Sequence, residues 1–228
     1  MERQKNQLTS KRAAYILVLT ALLIGGVVLF RHSPAPQRLL PLSIAGPTLP
    51  PETPMTPTQV NLVAGAEAQI GDLYDASYCT LLYPNGDPPT GRGACTDVVI
   101  RSLRAGGHDL QSEVHEDMRR HWDRYPHKWG LARPDPNIDH RRVPNLAVFF
   151  AHNGQTLPVE VSAKTLPTWQ PGDIVTWKLP GGADHIGLVS GRRNLQGIPL
   201  VIHNMSRTAE QDVLTLWPIA GHYRYPKN

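Results

Sequence analysis

The sequence is poor in cysteine and lacks a zinc-binding motif. Only two of its 228 residues are cysteines, and the chain contains neither a His-Glu-x-x-His segment nor a Cys-x-x-Cys pair. Zinc sites in hydrolases and in small structural domains commonly show one of these spacings. The ten histidines are therefore weak support for a zinc hydrolase, and we expect neither a metal nor another cofactor.

The C-terminal three quarters of the chain also lack an excess of positive charge. The formal net charge is +4, but residues 1–58 hold six basic and two acidic residues, whereas residues 59–228 hold 17 of each sign. A nucleic-acid-binding domain usually concentrates Lys and Arg on its folded surface. We therefore expect no nucleic-acid partner. The basic residues near the N-terminus instead indicate how a membrane-spanning segment would be oriented.

An uncharged apolar stretch covers residues 13–30. As a helix it would be about 27 Å long, close to the thickness of a bilayer's hydrocarbon core. Four basic residues precede it, so the positive-inside rule places residues 1–12 in the cytoplasm and the rest outside. The pattern predicts a single-pass inner-membrane anchor with a periplasmic domain. A cleaved signal peptide, which would release the domain into the periplasm, is the alternative, although the run exceeds the usual h-region of about 15 residues.

Proline is frequent in the next segment, residues 31–58, which contains eight. This composition favours an extended, semi-rigid spacer over a packed core. We therefore assign the folded domain to residues 59–228 and expect the spacer to hold it away from the membrane.

Hydrophobic periodicity divides this domain into a helical first part and a strand-rich second part. The first two predicted helices start near Gln59 and Cys95, and the next two cover Leu110–Tyr125 and Pro144–His152. The predicted strands are Asp173–Lys178, His185–Ser190, Leu200–His203, Val213–Leu216 and His222–Tyr225. Helices followed by strands predict an α+β domain, with helices packed on one face of an antiparallel sheet.

Cys95 lies at the start of the second predicted helix. Unpaired backbone N–H groups and the helix dipole favour an anion in this first turn. A thiol in such a position can have a pKa as low as about 3.5 to 7.5, and its thiolate is the nucleophilic form. Cys95 is therefore a candidate nucleophile. The alternative is that it is an inert core residue, as buried cysteines commonly are.

Two histidines on neighbouring predicted strands provide a base for this thiol. His185 begins an apolar strand, and His203 ends the next one. Adjacent antiparallel strands would place both rings on one face of the sheet, which we expect to face the cysteine helix. Cys95, His185 and His203 would then act as nucleophile, base and orienting residue, with Asn204 as the alternative orienting residue. Considered singly, a strand histidine is more often structural.

Three motifs surround these histidines: Gln170–Trp177, Asp184–Ser190 and Val201–Asn204. They contain a Pro-Gly-Asp turn into a strand, a histidine before an apolar-Gly strand, and a polar residue on the following strand. This pattern resembles the NlpC-type papain-like cell-wall cysteine peptidases. The resemblance implies a papain-like fold and cleavage of amide bonds in peptidoglycan or related envelope peptides. It also implies that Tyr83, twelve residues before Cys95, borders the nucleophile.

Four further motifs resemble a bacterial family of domains of unknown function, numbered 1287, over residues 60–228. These motifs are Arg92–Val99, His115–Met118, Asn137–Leu146 and Gly221–Tyr225. Cys95 belongs to a recurrent motif of that family, whereas Cys79 does not. A disulfide between the two cysteines, which an extracytoplasmic domain would permit, is therefore the less favoured alternative.

Two features depart from the peptidase pattern. Thr96 and Asp97 replace the usual Ser-Gly after the nucleophile, and we expect Asp97 either to cap the helix or to bind a substrate amine. The insert at residues 110–154 has no counterpart in the compact peptidases. A cluster within it either lines the cleft, with its arginines binding a substrate carboxylate, or forms an ion-paired loop. The cluster consists of Asp139, His140, Arg141 and Arg142.

The leading hypothesis is a membrane-tethered cysteine hydrolase of the cell envelope. Cys95 would attack the carbonyl, and His185 would transfer its proton to the leaving amine. The Cys95 backbone N–H, aided by Tyr83, would stabilise the oxyanion. The expected partners are an envelope peptide and the inner membrane, and the oligomeric state stays open. The alternative is a non-catalytic module that binds envelope peptides on the same scaffold.

Overall fold

The computed structural model describes residues 47–227. Within that range the chain forms four α-helices, which are α1 (Pro57–Glu67), α2 (Cys95–Ala105), α3 (Leu110–Arg120) and α4 (Val143–Asn153). Single turns of 3-10 helix lie at Trp122–Arg124, Asp139–Arg141 and Leu166–Thr168.

The strands of the described residues are β1 (Leu73–Tyr74), β2 (Arg92–Gly93), β3 (Gln155–Thr156), β4 (Ile174–Lys178), β5 (Asp184–Arg193), β6 (Pro199–Asn204), β7 (Thr208–Gln211) and β8 (Ile219–Arg224). Six of them form one antiparallel sheet in the order β3-β8-β4-β5-β6-β7. A separate two-stranded parallel ladder joins β1 to β2.

The expected α+β architecture, with helices preceding an antiparallel sheet, is confirmed. The third helix is shorter than predicted: it ends at Arg120 because the backbone at His121 leaves the helical region, with φ −136° and ψ 43°. The first helix begins with a capping box, in which the Thr56 hydroxyl accepts from the Gln59 amide and the Gln59 side chain accepts from the Thr56 amide.

The predicted strand Val213–Leu216 is wrong. The strand in this part of the chain is β7, which ends at Gln211. Val213 and Leu214 are buried, but they pack against a face of the sheet and do not extend it. The apolar pattern correctly predicted that these residues are buried. Their side chains pack in the core, but their backbone does not pair with a strand.

The sheet is covered on both faces. On one face, α1 to α4 enclose a large core that contains Ile186 and Leu188 of β5. On the other, Val189 of β5 packs with Trp177 and Trp169 in a second core. Successive side chains of a strand point to opposite faces, so odd-numbered positions of this part of β5 face the second core and even-numbered positions face the helices.

Part of the predicted spacer packs on the folded domain. Leu49 forms an antiparallel bridge with Arg193, with both N···O distances between 2.8 and 2.9 Å. Glu52 pairs with the Arg193 guanidinium at 2.5 Å, and Met55 packs against the first core. The folded unit therefore includes residues before the boundary at 59 that composition suggested.

The predicted cytoplasmic tail at residues 1–12, the membrane anchor at 13–30 and most of the Pro-rich segment lie outside the described residues. Between residues 47 and 227 no helix is both long and apolar enough to cross a membrane.

Candidate functional site

Cys95 is the first residue of α2, and the turn before it is tightly packed. The Asp97 carboxylate reaches back to accept a hydrogen bond from the Ala94 amide at 2.6 Å. A Cβ at Gly93 would lie 2.8 Å from the Asp97 Cβ, so only glycine fits at this position. The local sequence thus fixes the point at which the helix begins and the place of the thiol in its first turn.

The Cys95 thiol is buried, with 6% of the residue exposed. Burial raises its pKa to about 12, and the nearby Asp97 carboxylate reinforces this. Backbone hydrogen bonds from Ile186, Thr96 and Cys95 itself act in the opposite direction but do not overcome it. The expected low thiol pKa is therefore wrong for this conformation, because desolvation of the anion outweighs the helix N-terminus.

His185 and His203 are in contact, as their strand positions predicted. Nε2 of His185 lies 2.8 Å from Nδ1 of His203, and Nε2 of His203 lies 2.9 Å from Oε1 of Gln211. Gly187 is opposite His203 in the β5–β6 pairing, and a Cβ there would lie 2.6 Å from Cγ1 of Val201 and 3.1 Å from the His203 Cβ. The glycine of the apolar-Gly strand therefore allows the close packing of β6 beside the histidine pair.

The histidine pair lies in an aromatic enclosure formed by two tryptophans. Trp177 and Trp217 have ring centroids 5.7 and 5.9 Å from that of His185. Burial lowers the pKa of His185 to about 3, reinforced by His203, and lowers the pKa of His203 to about 4. Both rings are therefore neutral at physiological pH.

The structure does not give Cys95 and His185 the hydrogen bond that the sequence predicted. The thiol meets the sheet at the backbone of Ile186, whose side chain faces the helices. His185 precedes Ile186 on the same strand, and its ring points to the other face, beside Trp177. The expectation that both rings face the cysteine helix is therefore wrong, because strand alternation directs the Ile186 side chain to that side.

Asp97 and Arg141 form a buried ion pair beneath the start of α2. The Arg141 Nη2 to Asp97 Oδ2 distance is 2.8 Å, and the two side chains are 2% and 1% exposed. The same guanidinium donates to the carbonyl oxygens of Ser77 and Asp75. The structure thus bears out the use of Asp97 at the helix start and of Arg141 in an ion pair. Substrate binding by these two side chains stays a prediction.

The remaining members of the insert cluster differ in accessibility. Asp139 is 1% exposed and accepts from Arg142 at 2.9 Å, and burial raises its pKa. Burial, reinforced by Arg141, lowers the pKa of His140 to about 4, and its Nδ1 has no hydrogen-bond partner. Asp139 is therefore held by Arg142, whereas the buried His140 ring has an unpaired Nδ1. A role for these two residues in binding substrate stays a prediction. Arg142 reaches the cleft, where its guanidinium stacks 4.0 Å above the Trp129 ring.

A cleft of about 360 Å³ opens over Cys95. The side chains that give it chemical character are Tyr74, Lys128, Trp129, Arg141, Arg142 and Asp184. Three of them are basic and one is acidic; Arg141 is paired with Asp97, and Asp184 with Lys178. The cleft therefore carries an excess of basic side chains on the side of Trp129.

Tyr74 is the tyrosine beside the thiol, not Tyr83 as the resemblance implied. Tyr83 is 46% exposed and packs edge-on against His115 of α3, with centroids 5.5 Å apart. Tyr74 lines the cleft with Cys95, and burial, reinforced by electrostatic interaction with Cys95 and Asp97, raises its pKa. Spacing along a loop does not determine which tyrosine returns to the helix start, so sequence reasoning missed Tyr74.

Asn204 lies on the helix-facing side of β6 and not with the histidine pair. Its Nδ2 donates to the carbonyl oxygens of Gly93 and Asp72, at 3.1 and 3.3 Å. It therefore anchors the turn before Cys95, and it does not replace His203 as the group that orients His185. Gln211, which sequence reasoning did not single out, contacts the pair from β7 instead.

Both cysteines are free thiols. Cys79 lies 3.8 Å from Nη1 of Arg141, so it belongs to the loop that this arginine fastens. The alternative disulfide between Cys79 and Cys95 is absent. Across residues 47–227 no cluster of three or more His, Cys, Asp or Glu side chains has an arrangement that could hold a metal ion.

Comparison with known proteins places the chain in a family. Residues 63–225 match the family described as "Domain of unknown function (DUF1287)". The chain belongs to this family. It is also 48% identical over 188 residues to "Uncharacterized protein YijF" of Escherichia coli (strain K12), which covers 80% of this chain and 90% of that relative. No solved structure matches the chain.

The part of the chain that matches the DUF1287 family contains the whole candidate site. Cys95, the histidine pair and Gln211 all lie between residues 63 and 225. The segment that carries Leu49 and Met55, which packs on the domain, precedes the matched region. The family assignment therefore covers the residues of the candidate site.

Proposed function

We propose that this protein is a cell-envelope cysteine hydrolase that cleaves amide bonds in peptidoglycan peptides or related envelope peptides. The observation that supports it most is the hydrogen bond between His185 of β5 and His203 of β6, at 2.8 Å. The Cys95 thiol meets the same strand β5, at the backbone of Ile186. Hydrolysis of an amide by a cysteine nucleophile requires a thiol and a base that is held by an orienting partner. The chain has a thiol at a helix N-terminus and a hydrogen-bonded histidine pair.

The proposed reaction uses the second nitrogen of the His185 ring. Because Nε2 is engaged with His203, Nδ1 is the nitrogen that remains to accept the thiol proton. The sulfur then forms a bond to the amide carbonyl carbon, the C–N bond breaks, and His185 returns the proton to the leaving amine. Water hydrolyses the thioester, which releases the acid and restores the thiol.

One conformational step precedes this chemistry in the proposal. Cys95 and His185 are not hydrogen-bonded in the described conformation, and both groups are neutral. The Cys95 Sγ already contacts the amide of Ile186, the residue that follows His185. Because the thiol and the His185 ring lie on opposite sides of β5, the start of this strand would have to turn on substrate binding in the cleft so that Nδ1 of His185 reaches the thiol.

The oxyanion would be stabilised by groups already close to the thiol. The backbone amide of Cys95 is in the first turn of α2, and the Tyr74 side chain lines the cleft. Donors placed where negative charge develops often contribute most to catalysis of acyl transfer. Arg142, stacked on Trp129, would contact a carboxylate of the peptide.

The cellular setting and the finer fold class belong to the same proposal. The uncharged stretch at residues 13–30, preceded by basic residues, supports an inner-membrane anchor with the domain in the periplasm. The glycine-assisted His185–His203 contact supports a papain-like domain of the NlpC type. Signal cleavage, with release into the periplasm, is the alternative.

The proposal is tested by turnover of purified muropeptides. We expect the purified chain to release new amine termini, and we expect Cys95→Ala to remove this activity. Cys79→Ala is the matched control, because it removes the other free thiol and leaves the cleft unchanged. Undiminished turnover by Cys95→Ala would contradict the proposal.

A second candidate is a non-catalytic module that binds envelope peptides. It is favoured by one observation, the neutral and buried state of Cys95, whose pKa is raised to about 12. In that case the cleft would hold a peptide without cleaving it. Wild type and Cys95→Ala would then bind a muropeptide with equal Kd, and neither would release products.

A further inference from the structure

Gln211 completes a chain of three hydrogen-bonded side chains across neighbouring strands. It lies at the end of β7 and is 5% exposed. Its Oε1 is 2.9 Å from Nε2 of His203, whose Nδ1 is 2.8 Å from Nε2 of His185. The two contacts use one nitrogen of His185 and both nitrogens of His203.

The amide oxygen of Gln211 determines where His203 carries its proton. A side-chain amide oxygen only accepts hydrogen bonds, so Nε2 of His203 must be the donor. A neutral imidazole has one N–H group and one lone pair. Since burial keeps His203 neutral, its Nδ1 carries the lone pair and accepts.

The same reasoning then fixes the second ring. Because Nδ1 of His203 accepts, Nε2 of His185 must donate to it. His185 is also neutral, so its own lone pair is on Nδ1. This is the nitrogen that must be unprotonated for His185 to act as a base, since Nε2 is already occupied.

Without the hydrogen-bond acceptor at position 211, none of the contacts described here would keep the proton of His203 on Nε2. His203 could then place its proton on Nδ1, and that nitrogen would face the N–H group of His185. A buried pair with two opposed donors responds by a tautomer change in one ring or by separation of the two rings, because an unpaired buried donor is costly. A tautomer change in His185 would place the proton on its Nδ1, and separation of the rings would leave the His185 ring without a fixed orientation.

We propose that Gln211 is a positioning residue: its side-chain oxygen fixes the tautomer of His203, and through it leaves the lone pair of His185 on Nδ1. This inference rests on the proposed function for its catalytic meaning. Its physical content, the pair of tautomers, can be measured without any turnover.

The test is the ¹⁵N chemical shifts of the imidazole nitrogens, measured by NMR on the full chain at neutral pH. In the wild type we expect both His185 and His203 to be Nε2–H tautomers. Gln211→Met removes the acceptor at similar side-chain length, and we expect the His203 signals to move towards the Nδ1–H form. Gln211→Glu keeps an accepting oxygen and should retain the wild-type tautomers.

Gln69→Met is the matched control, because Gln69 is also buried but donates to the carbonyl oxygens of Gly65 and Val98. It should leave both tautomers unchanged. A wild-type His203 in the Nδ1–H form, or unchanged tautomers in Gln211→Met, would overturn the inference. If Gln211→Met does not fold, the wild-type and Gln211→Glu spectra still decide the tautomers.

Turnover separates this inference from the proposed function. If Cys95→Ala hydrolyses muropeptides as fast as wild type, the proposed function fails, whatever the tautomers are. If the wild type turns over and Gln211→Met loses kcat at least tenfold with KM unchanged, the positioning role is supported. Full kcat in a folded Gln211→Met that has changed tautomer would contradict that role.

Discussion

Cys95 and His185 reach the same end of strand β5 from different sides of the sheet. The thiol meets the backbone at Ile186 from the helix side, whereas the His185 ring lies with His203 and Trp177 on the opposite side. The two groups are thus separated by the strand itself. This relationship explains why both are neutral, since each is buried in its own core without a charged partner for its ionised form.

The buried thiol predicts slow alkylation. In a Cys79→Ser variant, which leaves Cys95 as the one thiol, we expect the iodoacetamide rate to be low at pH 7 and to rise about tenfold per pH unit above it. The reason is the pKa of about 12, raised by burial. The Cys95→Ser variant provides the rate of Cys79 for comparison. A fast reaction that is already independent of pH at 7 would contradict the prediction.

The histidine pair predicts a loss of stability in acid. Burial lowers both pKa values in the folded state, to about 3 for His185 and about 4 for His203, from the ordinary histidine value of 6.5. Their contribution to stability is therefore complete above pH 6.5 and is lost as the pH falls towards 4. We expect the free energy of unfolding to decrease by up to about 1.4 kcal/mol per pH unit for each ring.

Urea unfolding at a series of pH values measures this slope. A His185→Gln/His203→Gln double variant should show a shallower slope than wild type. Substitution of His127, which is exposed, removes a surface histidine and should leave the slope as it is. An acid slope equal in wild type and double variant would show that other groups cause the loss.

The ion pair beneath Cys95 predicts a large structural effect. Arg141→Met would leave the Asp97 carboxylate buried without its partner, and we expect it to destabilise the fold by about 3 to 5 kcal/mol. Arg119→Ala is the control, because its pair with Glu116 has side chains that are 60% and 44% exposed, and its loss should cost less than about 1 kcal/mol. Similar urea midpoints for both variants would contradict this assignment.

The position of Tyr74 predicts a difference between two tyrosines. If Tyr74 assists the oxyanion, Tyr74→Phe should lower kcat for muropeptide cleavage by about tenfold or more. Tyr83→Phe, at the tyrosine that packs on His115 instead, should retain the wild-type kcat. Steady-state kinetics on one purified muropeptide compare the two directly. The reverse order of effects would restore Tyr83 to the site.

Much of the fold could be predicted from local patterns. The start of α2 follows from the residues around Cys95, and the contact between His185 and His203 follows from two adjacent strands with a short connection. Which face these rings occupy could not be predicted. Strands buried on both faces show a continuous apolar run without alternation, and β5 is such a strand.

Long-range partners were the other part that sequence patterns could not supply. Arg141 and Asp97 lie 44 residues apart, and composition cannot show that their charges meet inside the protein. Gln211 has no local signal either, because a polar residue in a short strand commonly faces solvent. Their roles became visible only when the strands and the insert were placed in space.

The most direct test of the central proposal is intact-protein and peptide mass spectrometry of the chain quenched during muropeptide turnover. We predict a mass increase equal to the acyl half of the substrate, located on Cys95 and absent in Cys95→Ala. Turnover that proceeds equally in wild type and Cys95→Ala, with Cys95 unmodified throughout, would contradict it.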